Sequence, residues 1–112
     1  MTKSKYHNRK ITRDGETFDS IKEYQRWCEL KLLERAGEIT ELKRQVKFEL
    51  IPSQKVDGRV VERSVNYIAD FVYFSMVTGR TTVEDTKGFK TNDYIIKRKL
   101  MLWVYGIRIK EI

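Results

Sequence analysis

The sequence has one cysteine, Cys28, one histidine, His7, and one proline, Pro52, among 112 residues. A lone cysteine excludes an internal disulfide, and one Cys with one His excludes a Cys/His zinc site. A Ser-His-Asp or Cys-His enzyme would have to work through His7 in a polar N-terminal segment, which argues against that chemistry. Long apolar runs are also missing. The longest is Leu100–Tyr105, six residues, against about 20 for a membrane-spanning helix. The opening Met1–Lys10 carries no apolar stretch, so no secretory signal is expected there. Glycine is sparse at six residues, and neither a repeat nor a low-complexity tract breaks the chain. Hydrophobic residues make up 40% and aromatics 12%, enough for one modest core and too much for a disordered chain. An intracellular, soluble protein with one domain over residues 1–112 is expected.

Charge of one sign is in excess. Lys and Arg number 23 against 16 acidic residues, a formal net charge of +7. In so short a chain this favours a polyanionic partner, above all nucleic acid.

Residues 1–10 carry Lys3, Lys5, Arg9 and Lys10 and read as a basic arm. Residues 10–18 read as a small hairpin turning at Asp14-Gly15, a preferred two-residue turn pair. A helix follows, capped by Asp19 or Ser20 and stopped by Gly37, with Ile21, Tyr24, Cys28 and Leu32 on its apolar face. Val46, Phe48 and Leu50 alternate with Lys47 and Glu49 in a strand that Pro52 ends. Residues 53–64 are polar, with a turn at Asp57-Gly58. Val65–Phe74 is apolar on both faces, which places it in the middle of a covered sheet. A turn at Thr78-Gly79 leads to a strand over Thr81–Lys87. A helix from Thr91 or Asn92 to Tyr105 then presents Ile96, Leu100 and Trp103, and a strand through Ile107, Ile109 and Ile112 closes the chain. The order is α-β-β-β-α-β, an α/β arrangement with a mixed sheet sandwiched by helices.

Asp70 stands out because it sits in mid-strand between Ile68 and Val72, where an unpaired carboxylate is costly to bury. In the next strand, Asp85 and Lys87 share one face while Glu84 and Thr86 share the other. If the strands pair in suitable register, Asp70 and Asp85 approach one another. Two carboxylates and a backbone carbonyl are hard oxygen donors suited to Mg²⁺ or Mn²⁺. Glu84 is the rival to Asp85 if a bulge shifts the face of that strand.

Ile68-Ala-Asp70 followed by Asp85-Thr86-Lys87 resembles the bipartite signature of the PD-(D/E)XK nuclease superfamily. Ala69 stands where that signature has proline. Phe18-Asp-Ser-Ile-Lys-Glu23 resembles its additional acidic motif. With Lys90–Lys99, these pieces are similar to a small phage-associated branch of the superfamily. The resemblance implies a restriction-endonuclease-like core and a Mg²⁺- or Mn²⁺-dependent DNA endonuclease. It would act in phage recombination or replication, on duplex or branched DNA such as a four-way junction, in the bacterial cytoplasm. It implies Asp70, Asp85 and the Thr86 carbonyl as metal ligands, Lys87 as the residue that positions the attacking water, and Glu23 as a ligand or a support through water. Gln45, Lys90, Lys97 and Lys99 would contact nucleic acid, Lys97 foremost. Glu23 has a second reading, since Ser20-Ile-Lys-Glu23 is also a helix capping box. Trp27, Leu30 and Leu33 fall off the expected apolar face of the first helix, which suggests either a surface for a homodimer or packing under the N-terminal hairpin.

Overall fold

A computed structural model of the protein describes residues 10–112. His7 and the basic arm, apart from Lys10, lie outside the described residues. The first hairpin forms where expected. Strands β1 (Ile11–Arg13) and β2 (Glu16–Phe18) pair antiparallel. Asp14 and Gly15 between them have φ of 53° and 78°, the left-handed pair that a type I′ turn demands. Helix α1 (Ile21–Arg35) starts at Ser20, whose hydroxyl accepts the Glu23 N–H at 3.1 Å. Its C-cap is Ala36, and Gly37 follows with φ 81°.

Four strands form the main sheet in the order β3-β6-β7-β8. They are β3 (Ile39–Ile51), β6 (Val65–Ser75), β7 (Arg80–Asp85) and the short β8 (Lys110–Glu111). β3–β6 and β6–β7 are antiparallel and β7–β8 is parallel. A second hairpin, β4 (Gln54–Val56) with β5 (Arg59–Glu62), leaves the sheet between β3 and β6, and residues 52–63 are all exposed. Helix α2 (Asn92–Tyr105) is capped by Thr91 and ended by Gly106, which is left-handed at φ 68°. Around the sheet the order is α1-β3-β6-β7-α2-β8, the expected α-β-β-β-α-β, in a mixed α+β fold. No described helix is long and apolar enough to cross a membrane.

The helix faces differ from expectation. α1 buries Glu23 and Leu30 and packs Trp27 and Leu33 inward, while Ile21 and Leu32 are exposed. The buried face carries acid and base groups that pair inside the protein, so counting apolar residues selects the wrong side. Trp27 stacks on Phe71 at 6.1 Å between ring centroids and lies 6.5 Å from Phe18. Leu30 is therefore core, and Trp27 and Leu33 pack against it, partly buried, with Trp27 beside Phe18 of the first hairpin. On α2, Tyr94 and Met101 are buried and Leu100 packs against them, whereas Ile96 and Trp103 are exposed. Tyr94 turns this helix because its ring packs against Tyr67 and its hydroxyl reaches Glu111.

β6 feeds two clusters. Phe71 and Tyr73 join Leu30 and Ile39 under α1, while Tyr67 and Ala69 join Val83, Met101 and Ile109 under α2. It is central, as expected, but not covered throughout, since Ile68 is 55% exposed. β7 stops at Asp85 rather than Lys87, and β8 is confined to Lys110–Glu111.

Candidate active site

The register of β6 and β7 sets the site. Phe71 pairs with Glu84, so the next antiparallel position brings Asp85 beside Asp70. There β7 ends, and Thr86 and Lys87 follow as irregular chain. The first turn of α1 closes the opposite side with Glu23. Asp70, Asp85, Thr86, Lys87 and Glu23, together with Asp19, Ser20, Gly88 and Phe89, line one cleft of about 560 Å³.

Asp70 is half-buried, and its Oδ2 accepts from the Thr86 N–H at 2.8 Å and the Thr86 hydroxyl at 2.7 Å. The costly carboxylate is Asp85 instead, at 2% exposure. Its Oδ2 accepts from the Tyr67 hydroxyl at 2.7 Å and lies 3.3 Å from Lys87 Nζ. Burial, and then the neighbouring Asp70, push the Asp85 carboxyl up to about 7, against the lowering pull of Tyr67 and Lys87. Burial and the Asp85 carboxylate likewise hold the Tyr67 phenol protonated well above its ordinary range. Lys87 is held in place a second way, with Nζ 4.4 Å from the Tyr94 ring centroid.

Glu23 is tied to the helix start and also lines the cleft. Its Oε2 accepts the Asp19 N–H at 2.8 Å, a reach back across the helix start. Its Oε1 accepts from Gln45 Nε2 at 3.0 Å and lies 3.5 Å from Arg44 Nη2. The same Gln45 nitrogen reaches Asp70 Oδ1 at 3.5 Å. Gln45, a mid-strand residue with a left-handed φ of 52°, thus links Glu23 to Asp70. Burial first, and the negative Asp70 after it, raise the Glu23 carboxyl, while the Asp19 N–H lowers it.

Glu84 points away from the cleft and has full satisfaction elsewhere. Arg26 grips it with Nε and Nη2, each at 2.7 Å, and the Tyr73 hydroxyl donates a short hydrogen bond to it. Between the two neighbouring acids, Asp85 is the one that lines the cleft. The basic residues separate in the same way. Lys97 lines a cavity that shares Lys87 with the cleft. Lys90 instead pairs with Glu111 at 3.4 Å, alongside Arg98. Lys99 is exposed and lines neither cavity.

Sequence reasoning missed Arg26, Arg44, Tyr67 and Tyr73. Tyrosines on the apolar side of β6 were the available signal, because a buried phenol needs an acceptor. Arg44 has no comparable signature. It lies 3.8 Å from the Phe18 ring and ties β2 to Glu23 by pairing with Glu16 and the Thr17 carbonyl.

Among the described residues, no group of three or more His, Cys, Asp or Glu side chains forms a ready metal cage. Asp70 and Asp85 with the peptide at Thr86 nevertheless make an all-oxygen set. Mg²⁺ commonly binds through one or two carboxylates while keeping several waters. The donor chemistry and the cost of the buried Asp85 charge both fit a small divalent cation. Glu23, with both oxygens engaged, fits a supporting place.

Neither a curated protein nor a solved structure matches the chain. A family model described as a protein of unknown function, DUF1064, matches residues 3–110. That span is nearly the whole sequence, and the chain belongs to the DUF1064 family.

Proposed function

We propose that the protein is a Mg²⁺- or Mn²⁺-dependent DNA endonuclease with a restriction-endonuclease-like core of the PD-(D/E)XK kind. The observation that carries this reading is the convergence of Asp70, Asp85 and Lys87 on one cleft, with Glu23 linked to Asp70 through Gln45. The net charge of +7 supports a nucleic-acid substrate. A phage recombination or replication role on branched DNA is the biological setting we favour.

Asp70 and Asp85 would hold the cation together with the Thr86 carbonyl. When bound, it supplies Lewis-acid polarisation of the scissile phosphate and a more acidic water. Thr86 fixes one oxygen of Asp70 with two hydrogen bonds, and Tyr67 fixes one oxygen of Asp85, so both carboxylates are oriented before substrate arrives. Lys87, steadied by Asp85 and Tyr94, presents a positive charge where the phosphate gains negative charge. The products would be a 5′-phosphate and a 3′-hydroxyl.

Incubation with plasmid, duplex, single-stranded and four-way-junction DNA, in Mg²⁺, Mn²⁺ or EDTA, tests the reading. Cleavage with either metal is expected, with none in EDTA, and its loss in Asp70→Asn and Lys87→Ala. Salt-sensitive binding that ignores metal, with no cleavage of any substrate, would identify a binding module and overturn the proposal.

Lys97 is the one of the proposed DNA-contacting lysines that lies next to the cleft. Lys97→Ala is expected to weaken DNA binding and to flatten the dependence of log affinity on log salt by about one charge. Anisotropy titrations over a range of salt concentrations would measure that slope, and an unchanged slope would remove Lys97 from the DNA path.

A further inference from the structure

The cavity beside the cleft has a composition that the metal chemistry does not use. It encloses about 330 Å³ and is lined by Asn66, Ile68, Lys87, Asp93, Tyr94 and Lys97, among others. That volume is at the small end of ligand pockets, about 300–1,000 Å³. Strand alternation places Asn66, Ile68 and Asp70 on one face of β6, in steps of about 6.5–7 Å. One strand face therefore runs from the neighbouring cavity into the cleft, and Lys87 lines both.

Ile68 is the odd residue of this groove. It lies in the central strand of the sheet, two residues from Asp70, and yet is 55% exposed. An aliphatic side chain there offers a surface to a face, not donors or acceptors to an edge. In a duplex the base faces are covered by stacking, and only the groove edges are presented. An unpaired nucleotide has a free face, together with a phosphate that Lys97 and Lys87 can meet. Asn66 also lines the cavity, with its Nδ2 donating to Ser64 at 3.1 Å.

We propose that this cavity is a subsite for an unpaired nucleotide flanking the scissile phosphate, with its base resting on Ile68 and its phosphate beside Lys97. The subsite rests on the nuclease reading and narrows its substrate to DNA that is single-stranded next to the cut, as at a branch point or flap.

Binding of fluorescent single-stranded oligonucleotides, with Ca²⁺ replacing Mg²⁺ to withhold cleavage, tests it. Two probes of equal length are used, one with normal bases and one made wholly of abasic residues. Wild type should bind the base-bearing strand more tightly. Ile68→Ala, an exposed position, should weaken that binding by about threefold to tenfold and leave the abasic strand and a duplex unchanged. An equal loss on both strands, or no loss on either, would overturn the subsite while leaving the nuclease reading intact. Failure of wild type to bind any DNA would overturn both.

Discussion

Asp85→Asn should have two opposite effects, loss of DNA cleavage by about a thousandfold and a more stable metal-free protein above neutral pH. The second follows from the burial of the carboxyl. Its folded-state pKa is about 7 against an ordinary 3.8. Between those values the folded protein binds the proton more readily than the unfolded chain, so stability falls as pH rises through that window. Below it both states are protonated and the carboxyl carries no such cost. Above about 7 the cost is complete. A shift of about three units sets a ceiling near 4 kcal/mol, which the loss of the Lys87 contact reduces, so a gain of about 1–3 kcal/mol at pH 8 is expected. The Asn oxygen still accepts from Tyr67. Urea unfolding in EDTA at pH 4, 6 and 8 would show the difference opening with pH. Equal or lower stability of the variant at pH 8 would mean that the Asp85 charge is already compensated. Added Mg²⁺ should raise the stability of wild type alone, because a ligand stabilises only the state that binds it.

The largest loss of stability is expected at Arg26. Glu84 is fully buried, and Arg26 is 17% exposed. Arg26→Ala leaves that carboxylate with Tyr73 and a distant Lys110 at 4.0 Å. Removing one partner of a buried pair costs about 3–5 kcal/mol, whereas replacing both with apolar residues of similar volume is often close to neutral. The double variant Arg26→Met/Glu84→Met should therefore recover more than half of the loss, the remainder reflecting the orphaned Tyr73 hydroxyl. Urea denaturation of the two variants measures this. A cost below about 1 kcal/mol for Arg26→Ala would show that water reaches the carboxylate.

Much of the fold was readable because local chemistry decides it. Asp14-Gly15 and Asp57-Gly58 both adopt positive φ, a conformation that few other residue pairs tolerate. Ser20 and Gly37 bracket α1, and Thr91 and Gly106 bracket α2, for equally local reasons. The first half of β3 was not readable. Glu41 and Gln45 take left-handed φ there, and the register shifts between Thr40 and Lys43, so alternation breaks down. The helix faces were misjudged because Glu23 and Tyr94 are buried through polar partners brought in from elsewhere in the chain. The same reason hid Arg26, whose partner lies 58 residues away. In the candidate site, strand alternation separates Asp85 from Glu84 as expected. But β7 ends at Asp85, so Lys87 reaches the cleft from irregular chain. Thr86, expected on the face of Glu84, lines the cleft and binds Asp70. What the sequence did not show was which carboxylate bears the burial, and it is Asp85 rather than Asp70.

Glu84 and Asp85 stand side by side at the end of β7 and serve opposite sides of the sheet, one gripped by Arg26 and the other facing the cleft. A strand that slipped by one residue would turn each of them to the other's side of the sheet. Arg26 would then meet the shorter aspartate, and Thr86 would stand where the cleft carboxylate belongs. The slipped chain would forfeit a two-point ion pair inside the protein, a penalty of the same order as cutting that pair by mutation. The structural acid thus acts as a spelling check on its neighbour: the chain can settle with β7 in place only when the acid meant for the cleft is the one that reaches it.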